Sequence, residues 1–243
     1  DNSENIGGNK IQDLANITHN FTNSSALAGK NGIIRQAYEF TNSPVRKITM
    51  NKKLNYSGNW TMVAWFNSSE GVADQSIIRP ASGTGDNSML FASGVGNDDK
   101  ARCLSDAAGN GGDAVSTSII TNVTMTMVVC RFNGTHMNIY VNKTLEASDA
   151  QNAPDDDNTD IILGGHNSIS ESLIGVLDEV GIWERPLDTG CSDVGEVCTG
   201  EIADLFNNGK GFNPYTANDT FPPALSLINL SSEYISNINL SLT

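Results

Sequence analysis

From Arg35 onward the chain breaks into short runs with a two-residue apolar and polar period, or with unbroken apolar character, and this pattern predicts strands rather than helices. The runs are Arg35–Phe40, Val45–Met50, Asn59–Phe66, Gln75–Arg79, Ser88–Ala92, Lys100–Leu104, Ser116–Ile120, Met125–Phe132, His136–Val141, Asp160–Leu163 and Leu173–Trp183. Turn residues punctuate them at Gly83–Gly85, Gly109–Gly112, Asn133–Gly134 and Pro154–Asp157. Between Trp60 and Phe66, the side chains of Trp60, Met62, Ala64 and Phe66 point one way and those of Val63 and Trp65 the other, so both faces of that strand are expected to be covered and the strand to be central. Asn133-Gly134 favours positive φ and predicts a tight hairpin that pairs Met125–Phe132 with the run after it.

A single short helix is expected near the end of this region. Thr199 can cap it, Glu201 suits its first turn, Ile202, Leu205 and Phe206 form an apolar stripe at helical spacing, and Gly209 stops it. After Tyr215 the character changes. Residues 216–223 contain Pro222-Pro223 and read as a linker, because consecutive prolines cannot enter a central strand. In 224–243 apolar residues alternate again, at Leu225 and Leu227 and at Ile238, Leu240 and Leu242. About 20 residues cannot close an immunoglobulin-like core of ~100. The segment is therefore expected to be a partial immunoglobulin-like β module, or strands that pair with another subunit by β-augmentation. The expected organisation is one sandwich over 1–215, the linker, and these strands.

Charge narrows the partners. With 28 acidic against 14 basic residues the formal net charge is −14, which disfavours nucleic acid and anionic membranes over most of the surface. No apolar run approaches the ~20 residues that span a bilayer. Asp1 to Lys10 lacks the charged and apolar halves of a signal peptide, so any leader or anchor is expected outside these residues.

Compartment signals come from asparagine and cysteine. The pattern Asn-x-Ser/Thr begins at Asn16, Asn20, Asn23, Asn55, Asn59, Asn67, Asn122, Asn133, Asn142, Asn218, Asn229 and Asn239, more than twice as often as composition alone provides. This enrichment points to N-glycosylation outside the cell, on a cell surface or particle surface. Four cysteines with neither a C-x-x-C pair nor a Cys/His cluster suit two disulfides. Of three connectivities, the favoured one joins Cys191 to Cys198 across a short loop and Cys103 to Cys130 between two strands.

Gly175-Val-Leu-Asp-Glu-Val-Gly-Ile-Trp183, continuing through Glu184-Arg-Pro-Leu187 and followed by Glu201-Ile-Ala-Asp-Leu-Phe-Asn-Asn-Gly209, resembles the last long strand, short helix and Asn-x-Gly of the laminin G-like family. Gln36–Phe40, Asn59–Trp65 and Met125–Val141 are similar to its early, central and hairpin strands, so the resemblance covers most of residues 30–215. It implies an all-β, antiparallel two-sheet jelly-roll sandwich of the concanavalin A-like lectin type with one short C-terminal helix. The family's opening strand, with an aromatic residue before an Asp, is not found, and the Cys191–Cys198 loop is an insertion. The resemblance further implies a structural calcium held by Asp178 with main-chain carbonyls near Thr41 and Asn42 and from the first strand. Asp155, Asp156 and Asp157 form a weaker cation candidate.

Ligands in this fold are expected at rim loops or on the concave face, which singles out Asp86, Asn87, Asn110, Asp113, His166 and Asn167 in Gly83–Asn87, Gly109–Asp113 and Gly164–Asn167. No catalytic set emerges. Strand alternation sends Asp178 and Glu179 to opposite faces, the three histidines stand apart, and no nucleophile elbow, P-loop or H-E-x-x-H occurs. The expected function is a non-catalytic recognition or adhesion module binding glycans or cell-surface proteins. The alternative is a structural subunit of a surface layer, filament or viral particle that self-assembles through its C-terminal strands, and a polysaccharide-cleaving enzyme comes third. Intact mass should fall on enzymatic deglycosylation and show no alkylatable thiol before reduction; an unmodified mass with four free thiols would overturn the extracellular assignment.

Overall fold

The computed structural model describes residues 10–12, 20–33, 36–50, 58–69, 75–81, 89–93, 99–105, 112–120, 124–154, 159–165, 171–211 and 227–228. The described strands are β1 (Lys10–Gln12), β2 (Asn20–Ser24), β3 (Leu27–Asn31), β4 (Gln36–Phe40), β5 (Lys47–Met50), β6 (Trp60–Ser68), β7 (Gln75–Pro80), β8 (Met89–Ser93), β9 (Lys100–Ser105), β10 (Gly112–Ile119), β11 (Thr126–Phe132), β12 (His136–Val141), β13 (Thr144–Ala150), β14 (Ile161–Leu163), β15 (Gly175–Trp183) and β16 (Leu227–Ile228). They build two antiparallel sheets. Sheet A runs β1-β2-β5-β14-β7-β8-β9-β10, and sheet B runs β13-β12-β11-β6-β15-β4-β3. The jelly-roll sandwich expected from the sequence is the fold.

The layers follow from side-chain alternation. Trp60, Met62, Ala64 and Phe66 enter the core between the sheets, where they meet Ile48 and Met50 of sheet A. Val63 and Trp65 leave by the other face and join a second apolar cluster with Trp183, Leu187, Ile202 and Leu205. Each large side chain so buried contributes roughly 1.5–3 kcal/mol. The second cluster is roofed by α1 (Glu201–Phe206), whose Phe206 stacks on Trp65 with ring centroids 5.7 Å apart. Arg185, just past β15, anchors the helix through two hydrogen bonds to Glu201, at 2.8 and 2.6 Å, and the Asp188 amide donates a third to the same carboxylate at 2.7 Å. The Arg185 guanidinium holds the Glu201 carboxyl below its usual range. β6 is central, between β11 and β15, as its two-sided apolar pattern predicted.

A bulge on β15 makes this layering continuous. Asp178 pairs with Trp65 and Gly181 with Val63, so two residues of β15, Glu179 and Val180, oppose Ala64 alone. Glu179 takes up the extra residue with φ at 42°. Its insertion switches parity, so that Leu177, Val180 and Ile182 all face the inner core while Trp183 reaches the outer cluster.

Several local expectations are corrected. β13 has no predicted counterpart, because Thr144-Leu-Glu-Ala-Ser-Asp-Ala150 is too polar to show an apolar period; it is an edge strand whose Leu145 is buried. β1, β2 and β3 precede the region where the pattern begins. Thr199 does not cap α1: the N-cap is Gly200, without a side-chain cap, and Thr199 Oγ1 donates to the Gly190 carbonyl instead. The helix ends at Asn207 in the left-handed region, and Asn207–Gly209 form a 3-10 turn. In the β11–β12 hairpin only Gly134 has positive φ, and Asn133 Oδ1 instead accepts from the Thr135 and His136 amides at 3.1 and 2.9 Å. Of residues 216–243, Leu227–Ile228 pair with Val180 and Gly181 of β15, where β4 no longer covers that edge; the linker and the remainder lie outside the described residues.

Both favoured disulfides are present. Cys103 of β9 bonds to Cys130 of β11 and so staples sheet A to sheet B through the core, and Cys191 bonds to Cys198. For sequence separations of 27 and 7 residues, loop-closure entropy assigns about 3.5 and about 2.5 kcal/mol. In urea unfolding, the double variant Cys103→Ala/Cys130→Ala is expected to lose about 3.5 kcal/mol or more, since the bond is buried; an unchanged midpoint would show that the sheets do not depend on the staple.

Candidate functional site

The centre of sheet B around β6, β11 and β12 has both faces covered, so the outer face of sheet A is where a ligand finds polar side chains held by strands. A bulge on β7 helps to arrange them. The register against β8 shifts between Ser76 and Ile78, Ile77 and Ile78 both enter the core, and Ser76 and Arg79 come to share the outer face. Arg79 is 7% exposed; its Nη1 donates to Glu171 Oε2 at 2.7 Å and to Ser76 Oγ at 3.3 Å. Glu171 belongs to the connection between β14 and β15, and Leu173 N closes that connection onto the Gly164 carbonyl at 3.1 Å. Gly164 has φ at 68°, and a Cβ there would overlap the Phe40 ring, so only glycine fits this corner.

Two strands away, Arg102 of β9 grips Asp113 of β10. Its Nη2 donates to Oδ2 at 2.6 Å and its Nε to Oδ1 at 3.1 Å. Behind this pair β13 closes the sandwich with carboxylates. Asp149 accepts the Asp113 amide at 3.1 Å, and Glu146 accepts the amides of Thr117 and Ser118 at 2.8 and 2.9 Å and the Ser118 hydroxyl at 2.5 Å. The outer face thus carries guanidinium donors and carboxylate acceptors within reach of one another, the two complements that a sugar hydroxyl or a peptide group requires.

The family model Laminin_G_3, described as the concanavalin A-like lectin/glucanases superfamily, matches residues 41–190. The chain belongs to this family. A search of curated proteins by sequence found no match. Among solved structures, the chain is similar to the binding domain of Paraclostridial Mosquitocidal Protein 1, at 15% identity and TM-score 0.64, over 82% of this chain and 50% of that one. The Botulinum Neurotoxin Type G receptor binding domain aligns at 14% identity and TM-score 0.56, over 78% and 46%. Domain 4 of AbnA, a GH43 extracellular arabinanase from Geobacillus stearothermophilus solved with arabinotriose, aligns at 15% identity and TM-score 0.53, over 79% and 92%. A Trypanosoma rangeli sialidase also aligns, at 14% identity and TM-score 0.58, over 85% of this chain and 32% of that one. The chain spans about half the length of the toxin binding domains, and at these identities the likeness is one of fold.

Within this Laminin_G_3 domain the expected calcium ligands do not converge. Asp178 is fully buried, and its Oδ2 accepts the Ile33 amide at 2.7 Å. A Cβ on Gly32 would overlap that same oxygen, so Gly32 lies directly on the carboxylate. Thr41 and Asn42 sit in the turn after β4, where the Thr41 carbonyl accepts the Arg46 amide at 3.1 Å. Phe40 pairs with Gly175 and Tyr38 with Leu177, which places Thr41 four ladder positions from Asp178, about 13 Å at ~3.3 Å per residue. The group beside Asp178 is Glu179, which alternation had sent to the other face and the bulge buries at 4% exposure. Neither Glu179 oxygen meets a hydrogen-bond donor. Burial, with repulsion from Asp178, pushes its carboxyl well above the usual carboxylate range. Asp178 and Glu179 could hold a hard cation as part of an oxygen shell completed by main-chain carbonyls. Among the described residues no group of three or more His, Cys, Asp or Glu side chains gathers for a metal.

Of the expected ligand-loop residues, Asp113 lies on the outer face of sheet A, paired with Arg102, while Asp86, Asn87, Asn110, His166 and Asn167 lie outside the described residues, as do Asp155, Asp156 and Asp157. Arg79, Glu171 and Arg102 were not singled out from sequence; a charged residue inside an otherwise apolar run, as in Ile77-Ile78-Arg79, was the available signal. Of the sequon asparagines, Asn20, Asn23, Asn59, Asn67, Asn133 and Asn142 fall among the described residues, whereas Asn16, Asn55, Asn122, Asn218, Asn229 and Asn239 do not.

A carboxyl whose pKa is raised by folding stabilises most below its unfolded value and loses that contribution as pH rises through the folded value. With cations chelated, thermal stability is therefore expected to fall as pH rises from about 4.5 toward neutrality. Glu179→Gln should flatten that fall and raise the melting temperature near pH 7. Calcium at neutral pH should stabilise the native chain and not Glu179→Gln; equal response of the two would remove Glu179 from any cation site.

Proposed function

We propose that this chain is a non-catalytic recognition module of an extracellular, N-glycosylated protein, and that it takes a glycan or protein ligand on the outer face of sheet A. The observation that carries this reading is the asymmetry of the two outer faces. Sheet B is sealed by the Trp65, Trp183 and Ile202 cluster, whereas sheet A presents Arg102 and Asp113 from its strands.

Sequon placement supports the same face. No Asn-x-Ser/Thr occurs between Asn67 and Asn122 or between Asn142 and Asn218. These stretches supply β7, β8, β9, β10 and β14, five neighbouring strands of sheet A. Asn59, Asn67, Asn133 and Asn142 lie on or beside β6, β11 and β12 of sheet B. Glycans on those asparagines would cloak sheet B and leave these five strands of sheet A bare. Arg102 and Asp113 together donate to and accept from a hydroxyl, which suits a carbohydrate. Relatives in fold are named as binding domains, and one was solved with arabinotriose. Two disulfides suit an oxidising compartment, and among the described residues no helix is long and apolar enough to cross a membrane.

A non-catalytic role is favoured because the adjacent carboxyls Asp178 and Glu179 are buried, whereas glycoside hydrolysis needs two carboxyls flanking a bond in an accessible cleft. Calcium enters the reading as a structural ion at Asp178 and Glu179.

A glycan array probed with the folded chain is expected to return a defined set of ligands. Arg102→Ala and Asp113→Ala should each weaken the best of them about tenfold or more, the loss of a charge-assisted hydrogen bond. Their thermal stability should change little, because a partly exposed ion pair is worth roughly 0–1 kcal/mol. If every ligand binds both variants as tightly as the native chain, the outer face of sheet A is not the site.

A further inference from the structure

Large apolar side chains stand out in solvent at four of the described positions: Leu27 at 48% exposure, Ile119 at 60%, Val194 at 58% and Val197 at 56%. None is scattered over an open face. Leu27 belongs to β3, the last strand at one end of sheet B, and every residue of β3 is exposed. Val194 and Val197 belong to the Cys191–Cys198 loop, which rides on β13 at the other end of the same sheet. Leu145 N donates to the Glu196 carbonyl at 3.0 Å, Gly195 N to the Leu145 carbonyl at 2.7 Å, and Cys198 N to the Lys143 carbonyl at 2.7 Å. Ile119 adjoins Ser118, which Glu146 of β13 holds, so it belongs to the loop's end of the sheet as well.

The loop is rigid as well as apolar. The disulfide closes it, and Glu196 Oε2 accepts the amides of Ser192 and Asp193 at 2.8 and 3.1 Å. It carries Asp193 and Glu196 and no basic residue. The β3 end has the opposite balance. Lys30 of β3 and Arg46 share the single carboxylate of Glu39, at 2.8 and 3.0 Å, which leaves one net positive charge beside Leu27. One end of sheet B is therefore an acidic knob with two valines, and the other, among the described residues, an unpaired strand edge with a leucine and a net cation. Soluble β proteins normally blunt open edges; here the Gly29 bulge and Lys30 do so only partly.

We propose that these two ends bind each other between copies of this chain, the Val194 and Val197 knob of one copy seating against the Leu27 and Lys30 edge of the next. Two different patches meet, so the contact is head-to-tail and generates an open row of sheets rather than a closed dimer. The ligand face of sheet A stays free, and the contact does not depend on ligand recognition. Asn23 and Asn142 border the two ends, so the state of their glycans bears on the contact.

Sedimentation velocity of the full chain, with any N-glycans trimmed to the first sugar, tests this. In low salt the native chain should grow with concentration past the dimer and revert toward monomer as salt is raised. Leu27→Asp should abolish growth, and so should Val194→Asp/Val197→Asp; all these side chains are exposed, and circular dichroism checks that both variants fold. Mixed in equal amounts, the two variants should form a one-to-one dimer of twice the monomer mass, because each retains one working end. A native chain that stays monomeric at all concentrations, variants that associate like the native chain, or a mixture that yields no dimer would each overturn the proposal.

Discussion

Burial of both faces of sheet B is the constraint on which the rest of the molecule depends. β6 inserts Trp60, Met62 and Phe66 between the sheets and Val63 and Trp65 beneath α1, so the chain must supply apolar layers on both sides of one sheet. The inner layer comes from sheet A, and the outer layer comes from the segment after β15 that ends in α1. This demand explains why Glu201 is held by Arg185 and by the Asp188 amide. If the helix detached, the second apolar cluster would open to water.

β15 meets the same constraint through its bulge. A strand that alternated strictly would place Leu177 and Val180 on opposite faces, yet both belong to the inner core. Inserting Glu179 resolves the conflict at the cost of a non-glycine residue at positive φ and of a carboxyl group buried without a donor. Strain and an unsatisfied polar group at one point are features that folds keep where something else compensates. Here the register against β6 compensates: the bulge keeps Leu177, Val180 and Ile182 together in the core, while Asp178 beside it accepts the Ile33 amide.

The centre of sheet B is sealed on both faces, which leaves two other kinds of surface among the described residues. Sheet A offers an outer face where Arg102 pairs with Asp113, within five neighbouring strands, β14, β7, β8, β9 and β10, that hold no glycosylation signal, and the two ends of sheet B offer small apolar patches of opposite local charge. Carboxylates hold the sandwich shut along β10 and β13. Glu146 and Asp149 occupy main-chain amides of β10 that would otherwise invite another strand.

The sequence by itself determined the layer structure, because side-chain alternation is a local property: the two-faced pattern of Trp60–Phe66, the hairpin at Asn133–Gly134 and the apolar stripe of α1 can be read without knowing their neighbours. The Gly175–Trp183 motif added the family resemblance and hence the two-sheet jelly-roll class. Features that exist only as relations between distant segments were not legible. β13 is polar and earns its place by pairing with β12 and by the hydrogen bonds Glu146 makes to β10; the pairing of Arg79 with Glu171 joins residues 92 apart in sequence; and the bulges at Ile77 and Glu179 are set by register against a partner strand. The expected cation ligands failed to meet for the same reason. Main-chain carbonyls carry no mark in a sequence, and only the antiparallel ladder between β4 and β15 decides which of them lies beside Asp178.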